Sequence, residues 1–341
     1  MYTAAYKILS VLLAFAALNC SGRITTLVYP TLHDKKYDSE FPYRDCSEQL
    51  EAIGESVKIV YSTATYRTYL FPEGSHVLPG SITMELLNGY YQKSLVAQSS
   101  VSGTATVIYF DGRRLALLTC AHVVEFQDTI FAFYPDVPFV QSVSILVRQT
   151  NFIRDLPEGG ELEILAKDEK NDIALLGREF ESAPPGPVPV FSYPMGKSKN
   201  LQWGTFIYII GYPMGYKMIT KGIVSSPNRD GRGSFLTDAP MNMGLSGGII
   251  LAILDGVPNF ELVGIAKAVS ASSEYVLVPE PSYDQTTPGS VPFKGEAFVT
   301  LKQSIRYGVT YAVSTEVIRD LVMVNRSRLE ARGFHLNSFI Q

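Results

Sequence analysis

The feature that most constrains this chain is a serine flanked by glycines and placed directly before an apolar strand. The stretch Thr237–Gly248 reads TDAPMNMGLSGG and continues into the apolar run Ile249–Leu251. Glycine adopts backbone angles that other residues avoid and leaves room for a substrate to approach. Such a tight turn is a typical setting for a nucleophile, although glycine and serine also collect in ordinary turns. Ser246 is therefore a candidate nucleophile, and its assignment depends on a base and a carboxylate elsewhere in the chain.

A histidine and an aspartate stand upstream at the ends of two other apolar strands. Among the four histidines, His122 alone ends a strongly apolar strand, within the segment Leu115–Val124. Asp172 follows later, at the start of the apolar segment Ile173–Leu176. By itself, each residue could have a purely structural role, His122 as a core histidine and Asp172 as a turn residue before a strand. The order His, Asp, Ser in three such settings indicates a catalytic triad.

These segments resemble the signature motifs of trypsin-like serine peptidases, and more closely those of their bacterial HtrA (Deg) branch. TCAHVV at 119–124 is similar to the family's T-x-x-H-V-V, NDIALL at 171–176 to its S-D-I-A-L-L, and the Ser246 stretch to T-D-A-A-I-N-P-G-N-S-G-G. Two further segments match in the same order, IGYPMG at 210–215 and GIVS at 222–225. The resemblance covers the chain from about residue 101 to about residue 325.

The resemblance implies an all-β fold of two six-stranded chymotrypsin-like β-barrels, with a C-terminal helix and, here, an N-terminal extension. It also implies a serine endopeptidase that hydrolyses peptide bonds in proteins and needs no metal or organic cofactor. Ser246 would attack the carbonyl, His122 would take the proton and return it to the leaving amine, and Asp172 would orient the imidazole. The backbone N–H groups of Gly244 and Ser246 would form the oxyanion hole. The expected partners are protein or peptide substrates.

Three positions depart from the family pattern. Leu245 and Met243 stand where the HtrA branch carries Asn and Pro, so the oxyanion loop is expected to have a different shape. Pro240 lies where trypsins carry the Asp that selects Lys or Arg, which predicts no Lys/Arg preference and a modest apolar pocket. A loop that rests in an inactive conformation would give a poor enzyme, because one oxyanion donor is worth about a hundredfold to a thousandfold in rate. The alternative function is therefore a catalytically poor peptidase-fold surface lipoprotein that binds other proteins.

The first 19 residues are interpreted as a signal peptide. Lys7 precedes the apolar run Ile8–Leu18, which is too short for a bilayer that needs about twenty residues. The run is followed by Asn19 and Cys20, and this ending resembles a bacterial lipoprotein signal with Cys20 as the lipid-attachment residue. Ordinary signal-peptidase cleavage near the small residues is the alternative. We expect an exported protein of the bacterial cell envelope, anchored by lipid to the inner or outer membrane, in the periplasm or at the cell surface.

Composition supports a globular chain and gives no argument for nucleic-acid binding. Hydrophobic residues make up 46% of the 341 residues and charged residues 18%, enough to bury a full core. The net charge of −4 lacks the basic excess that a nucleic-acid partner requires. With Cys20 lipidated, an exported protein permits a Cys46–Cys120 disulfide, but Cys120 is more simply a small buried core residue.

The domain boundaries follow from the motifs and from turn-rich segments. Residues 20–95 match no motif and are interpreted as a tether followed by an extension packed on the barrels, with a partner or regulatory module as the alternative. The peptidase domain is assigned to 96–325, with barrel one at 96–180, barrel two at 188–313, a C-terminal helix at 315–332 and a tail at 333–341. No PDZ domain is expected after this helix. Residues 269–307, rich in proline, are expected to form a long loop, either a substrate-side lid or disordered.

Overall fold

Two antiparallel β-barrels contain most of the secondary structure of this computed structural model, which describes residues 32, 34–89, 91–154, 161–279 and 297–341. The expected signal peptide at residues 1–19 and the lipid-attachment residue Cys20 lie outside the described residues. The predicted fold class, two six-stranded chymotrypsin-like barrels with a C-terminal helix, is confirmed. None of the described helices is long and apolar enough to span a membrane.

Barrel one is closed by long-range pairing of its first strand. Its strands are β1 Val57–Leu70, β2 Lys93–Phe110, β3 Arg114–Thr119, β4 Thr129–Phe133, β5 Val140–Ile153, β6 Glu161–Asp168 and β7 Ile173–Glu179. Six of them form the ring β1-β2-β3-β7-β6-β5, which closes because β1 pairs with β5 as well as with β2, while β4 adds to the free edge of β5. The barrel therefore begins at Val57, and the boundary drawn at residue 96 falls inside it.

Barrel two is a closed ring of six strands in the order β10-β13-β12-β11-β8-β9. Its strands are β8 Phe206–Gly211, β9 Met218–Ser226, β10 Phe235–Thr237, β11 Ile249–Ile253, β12 Phe260–Pro279 and β13 Ala297–Ser314. The long loop expected at 269–307 is largely two paired strands, with Ala271 opposite Ile305 and Pro279 opposite Ala297. Runs of β-branched and aromatic residues such as Tyr275–Val278 favour this pairing over a loop. Residues 280–296, which carry several of the prolines, lie outside the described part of the chain.

Besides several one-turn 3-10 helices, the described chain has four α-helices: α1 Ser47–Ser56, α2 Met84–Gly89, α3 Thr315–Val324 and α4 Arg326–Ala331. The side chain of Ser314 caps α3 by accepting the N–H of Val317 at 3.4 Å. The segment predicted as one helix at 315–332 is two helices, because the backbone leaves helical geometry at Asn325. The apolar face of α3 packs into a core cluster that continues from barrel one into barrel two.

Residues 34–46, named here the N-terminal strap, lie on barrel two. The backbone N–H of Asp38 donates to the carbonyl of Ile253, and the N–H of Phe206 donates to the carbonyl of Asp38, each at 2.9 Å. Tyr37 forms a bridge with Leu254 just beyond β11. This part of the expected tether is therefore attached to the barrel by backbone hydrogen bonds, and α1 then leads the chain to barrel one.

Two cysteines of the described chain, Cys46 and Cys120, are buried and unpaired. Cys120 is wholly inaccessible within the core cluster, and its thiol donates to the carbonyl of Ala266 at 3.3 Å. The interpretation of Cys120 as a small buried core residue is confirmed, and no disulfide joins it to Cys46.

The carboxylate of Asp38 in the strap predicts a pH-dependent stability. One oxygen accepts the N–H of Gly256 at 3.0 Å, whereas the other is buried without a partner among the described residues. Burial, with smaller contributions from nearby carboxylates, raises the pKa of Asp38 from 3.8 to about 6. The folded state therefore holds this proton more tightly than the unfolded state, and the free energy of unfolding falls as the pH rises from about 4 to about 6.

We expect Asp38→Asn to be more stable than the parent chain by about 1–3 kcal/mol at pH 8, with the difference shrinking toward pH 4. The amide keeps an oxygen for Gly256 and removes the buried charge. Urea denaturation at pH 4.5, 6 and 8 measures the difference. A gap that stays constant over this range would show that the charge of Asp38 is not its cause.

Candidate active site

His122 and Asp172 come together because β3 and β7 are neighbouring antiparallel strands. Thr119 at the end of β3 pairs with Ala174 near the start of β7, so the residues beyond these ends meet at one edge of barrel one. The Nδ1 atom of His122 lies 2.8 Å from Oδ2 and 2.9 Å from Oδ1 of Asp172. The backbone N–H of His122 also donates to Oδ1 at 2.9 Å. Asp172 thus fixes both the ring and the backbone of His122.

The side chains of His122 and Asp172 differ in solvent exposure, which suits a histidine that transfers protons while a buried carboxylate holds it. The side chain of Asp172 is 10% exposed, whereas that of His122 is 42% exposed. Because Nδ1 faces the carboxylate, that nitrogen carries the proton of the neutral ring, and Nε2 is left as the acceptor. Asp172 itself has a left-handed backbone with φ of 61°, which aspartate tolerates better than most residues. The arrangement presents a basic nitrogen toward the open side of the site.

Ser246 lies in a loop whose glycines adopt conformations closed to other residues. Gly244 and Gly247 have φ angles of 94° and 87°. An ideal Cβ on Gly247 would lie 2.1 Å from the carbonyl oxygen of Thr104, and one on Gly244 would lie 2.4 Å from that of Tyr212. The hydroxyl of Ser246 donates to the carbonyl of Lys267 at 2.9 Å rather than to the imidazole of His122.

The loop of Ser246 and the turn of His122 face each other across the junction of the barrels. The carbonyl of Ala266 in barrel two accepts both the Gly247 N–H at 2.8 Å and the thiol of Cys120, two residues before His122. An ideal Cβ on Gly103 would lie 2.6 Å from Val123, the neighbour of His122, and 3.1 Å from the carbonyl of Ser246. The segments that carry His122 and Ser246 are therefore packed against each other at the junction of the barrels.

Thr104 holds the Ser246 loop to barrel one. Its Oγ1 accepts the N–H of Tyr212 at 2.9 Å and donates to the carbonyl of Gly244 at 2.8 Å. Its own backbone N–H donates to the carbonyl of Ser246 at 2.8 Å, and its carbonyl accepts the hydroxyl of Thr119 at 2.7 Å. Thr104 is fully buried. Sequence reasoning missed this residue, because a threonine inside a β-rich segment is ordinary.

The peptide groups of the loop leave two N–H groups available at Ser246. The carbonyl of Met243 accepts the N–H of Met214 at 2.7 Å. In a planar trans peptide the N–H points opposite to the C=O, so the N–H of Gly244 points away from Met214. Within the described part of the chain, neither this N–H nor that of Ser246 has a hydrogen-bond partner. Both can donate to an anionic oxygen bound beside Ser246.

The two unusual residues of the loop have different surroundings. Leu245 is buried in the core cluster of barrel two and packs near Gly211 and Gly248, so its side chain anchors the loop by apolar contact. Met243 is exposed and, with Met214, Tyr216 and Met218, forms a surface named here the apolar rim, each member at least half exposed. Exposed apolar surface of this kind is typical of a binding face for another molecule.

One cluster in the described residues has the composition of a metal site, and it coincides with the His122–Asp172 pair. Ligand atoms of Cys120, His122 and Asp172 lie within 4.8 Å of one another. Burial, with a smaller contribution from Asp172, raises the pKa of the Cys120 thiol well above its usual value, which keeps the sulfur protonated. A metal would also have to displace the hydrogen bonds between Asp172 and Nδ1 of His122. The geometry favours a proton-transfer pair over a metal centre.

Comparison with known proteins identifies the same part of the chain. Residues 103–265 match the family model described as a trypsin-like peptidase domain. A relative from Hahella chejuensis, named as a probable periplasmic serine endoprotease, DegP-like, is 29% identical over 189 residues, or 54% of this chain and 33% of the relative. A protein of the same name from Pseudomonas fluorescens is 31% identical over 117 residues, or 33% of this chain and 22% of the relative. The matches thus span a third or less of the length of these relatives.

Among solved structures, the HtrA-type protease AlgW with a bound tripeptide is similar to this chain. The similarity covers 85% of this chain and 65% of that one, with a TM-score of 0.43 and 17% sequence identity.

The close packing around Gly247 predicts that one added methyl group at this position strongly lowers the stability of the fold. Gly247→Ala combines a positive φ with contact to backbone and hydroxyl oxygens, so we expect a loss of more than about 4 kcal/mol or no folded protein. Gly112 is the matched control, because it has a φ of 93° and open space around it. Gly112→Ala should cost about 1–2 kcal/mol, the backbone penalty alone. Urea denaturation measures both, and equal losses would contradict the close packing at Gly247.

Proposed function

We propose that this chain is a serine endopeptidase of the trypsin-like, HtrA type, which hydrolyses peptide bonds in proteins through His122, Asp172 and Ser246. The observation that carries the proposal is the hydrogen bonding of Asp172 to both Nδ1 and the backbone N–H of His122, beside a loop with two free N–H groups at Ser246. The match of residues 103–265 to a trypsin-like peptidase domain supports it independently.

In the proposed mechanism Ser246 first rotates its hydroxyl from the carbonyl of Lys267 toward Nε2 of His122. His122 takes the proton as Oγ attacks the peptide carbonyl, and Asp172 stabilises the imidazolium that forms. The N–H groups of Gly244 and Ser246 donate to the developing oxyanion, each worth about a hundredfold to a thousandfold in rate. His122 then gives its proton to the leaving amine, and water attacks the acyl-enzyme with His122 again as the base.

The substrates proposed are polypeptides with apolar side chains near the cleaved bond. The apolar rim continues directly from the loop of Ser246, since Met243 precedes Gly244 and bonds to Met214. Methionine side chains are flexible and polarizable, so such a surface accepts apolar groups of varied shape. Pro240 provides no carboxylate for a Lys or Arg side chain, so no preference for these residues is expected.

Reaction of Ser246 with a fluorophosphonate probe tests the catalytic proposal. We expect the parent chain to be labelled covalently and Ser246→Ala to remain unlabelled, while His122→Ala reacts about a thousandfold more slowly or less. The exposed Ser99 offers a matched control, and Ser99→Ala should be labelled like the parent. A folded parent chain that takes up no label between pH 6 and 9 would exclude the peptidase and favour the protein-binding lipoprotein.

The proposal for the cellular location is export followed by lipid anchoring at Cys20. The names of the two curated relatives describe periplasmic proteins, which supports export. A Cys20 that carries two or more acyl chains would anchor stably, because a single chain gives only marginal binding.

Lipidation predicts that the chain enters the detergent phase of a Triton X-114 separation and that globomycin increases its apparent mass. Cys20→Ala should abolish both effects, whereas Cys46→Ala, a matched loss of one cysteine, should leave them intact. Partition of the parent chain into the aqueous phase, with no change under globomycin, would instead support ordinary signal-peptidase cleavage.

A further inference from the structure

An open pocket of about 590 Å³ lies between the N-terminal strap and the turn at Ser198–Asn200. Four lysines contribute to its lining: Lys35 and Lys36 from the strap, and Lys197 and Lys199 from the turn. We name it the lysine pocket. Leu254, another lining residue, follows the end of β11 that is distant from Ser246. The pocket therefore lies at the opposite end of this strand from the catalytic cleft, and the proposed peptidase mechanism does not use it.

The backbone of each lysine is held in place by a side chain of the protein. The N–H of Lys35 donates to Asp255 at 2.6 Å, that of Lys36 to Asp34 at 2.8 Å, that of Lys197 to the hydroxyl of Tyr37 at 2.9 Å, and that of Lys199 to Glu316 at 3.0 Å. The pocket walls are thus fixed before any ligand arrives, which lowers the entropy lost on binding.

The ammonium groups themselves have no carboxylate partner in the described part of the chain. Glu261 is the one acidic residue in the lining, and it accepts the hydroxyl of Tyr37 at 2.6 Å. Burial, with a further contribution from Glu261, raises the pKa of Tyr37, so this hydroxyl stays protonated and continues to donate. The carboxylates nearby therefore organise the walls, and the four cations remain available to a ligand.

The balance of charge indicates the kind of ligand. Four nearby carboxylates balance the positive charge of the four lysines at long range: Asp34, Asp255, Glu261 and Glu316. The pocket therefore attracts a distant anion only weakly. Because lysines line the pocket on two sides, their flexible side chains can bring ammonium groups to an anion inside it from both, and charge-assisted hydrogen bonds are the strong ones. This combination favours a compact, multiply charged anion with several acceptor oxygens over an extended acidic polymer.

We propose that the lysine pocket binds a phosphate group, carried by a soluble phosphate compound or by an anionic phospholipid headgroup. A phosphate offers several oxygens to ammonium groups on both walls, and lysine binds it as a point charge. Lys35 follows Cys20 by 15 residues, so an anchored chain would hold the pocket within about 50 Å of the membrane surface. Basic residues near a lipid anchor provide the second attraction that stabilises membrane binding.

The first arm of the test is titration of inorganic phosphate into the full chain carrying Cys20→Ala, followed by calorimetry. Replacing Lys35 and Lys197 together by glutamine should weaken phosphate binding at least about tenfold, because two charge-assisted contacts are lost. Arg67 and Lys93, exposed on barrel one, give the matched control, and their double glutamine variant should bind like the parent. A second pair, Lys36→Gln with Lys199→Gln, should repeat the loss if the first pair unfolds the chain.

The second arm distinguishes the sources by sedimentation with vesicles, either of phosphatidylcholine alone or containing phosphatidylglycerol. Binding to the anionic vesicles that is lost with Lys35→Gln and Lys197→Gln identifies the headgroup, whereas phosphate binding without vesicle binding identifies a soluble ligand. Either result supports the pocket. The proposal fails if neither phosphate nor anionic vesicles bind, or if the control pair weakens binding as much as the pocket pairs. Labelling of Ser246 is independent of both arms.

Discussion

The geometry of the candidate active site depends on the buried hydrogen bonds of Thr104, which join the two barrels at the Ser246 loop. This residue of barrel one bonds to Tyr212, Gly244 and Ser246 in barrel two, and Thr119 completes the set from β3. A satisfied hydrogen bond contributes only about 0.5–1.5 kcal/mol, but a buried polar group left without a partner costs about 1–3 kcal/mol. A shift of one barrel against the other would leave several of these buried groups without partners at once, so this network fixes the position of the Ser246 loop relative to barrel one.

Leu245 and Met243, the two residues of the Ser246 loop that depart from the family pattern, have different surroundings in the structure. The side chain of Leu245 is buried in the core of barrel two, which fixes the loop by apolar contact. Thr104 also fixes the loop, because its hydroxyl donates to the carbonyl of Gly244. Apolar burial and backbone hydrogen bonds thus both fix the backbone of this loop. The side chain of Met243, in contrast, is exposed to solvent.

The sequence was most informative where chemistry limits the residue types and least informative where distant strands pair. His122, Asp172 and Ser246 could be selected because an imidazole, a carboxylate and a glycine-flanked hydroxyl at strand ends are an uncommon combination. β1 could not be assigned to barrel one, since its closure depends on partners such as Ile153 that no local pattern reveals. The expected loop at 269–307 is wrong over its paired parts, because the β-branched runs beside the prolines form paired strands.

The resting position of Ser246 limits the proposed catalysis far less than an inactive oxyanion loop would. Turning the hydroxyl from the carbonyl of Lys267 to His122 exchanges one hydrogen bond for another, a difference of about 1 kcal/mol. A reversed peptide at Gly244 would remove an oxyanion donor, worth about a hundredfold to a thousandfold in rate. Because the carbonyl of Met243 is bonded to Met214, the N–H of Gly244 already points away from that bond. The peptide at Gly244 therefore has its N–H directed away from Met214, and within the described residues this donor remains available for the oxyanion of the proposed mechanism.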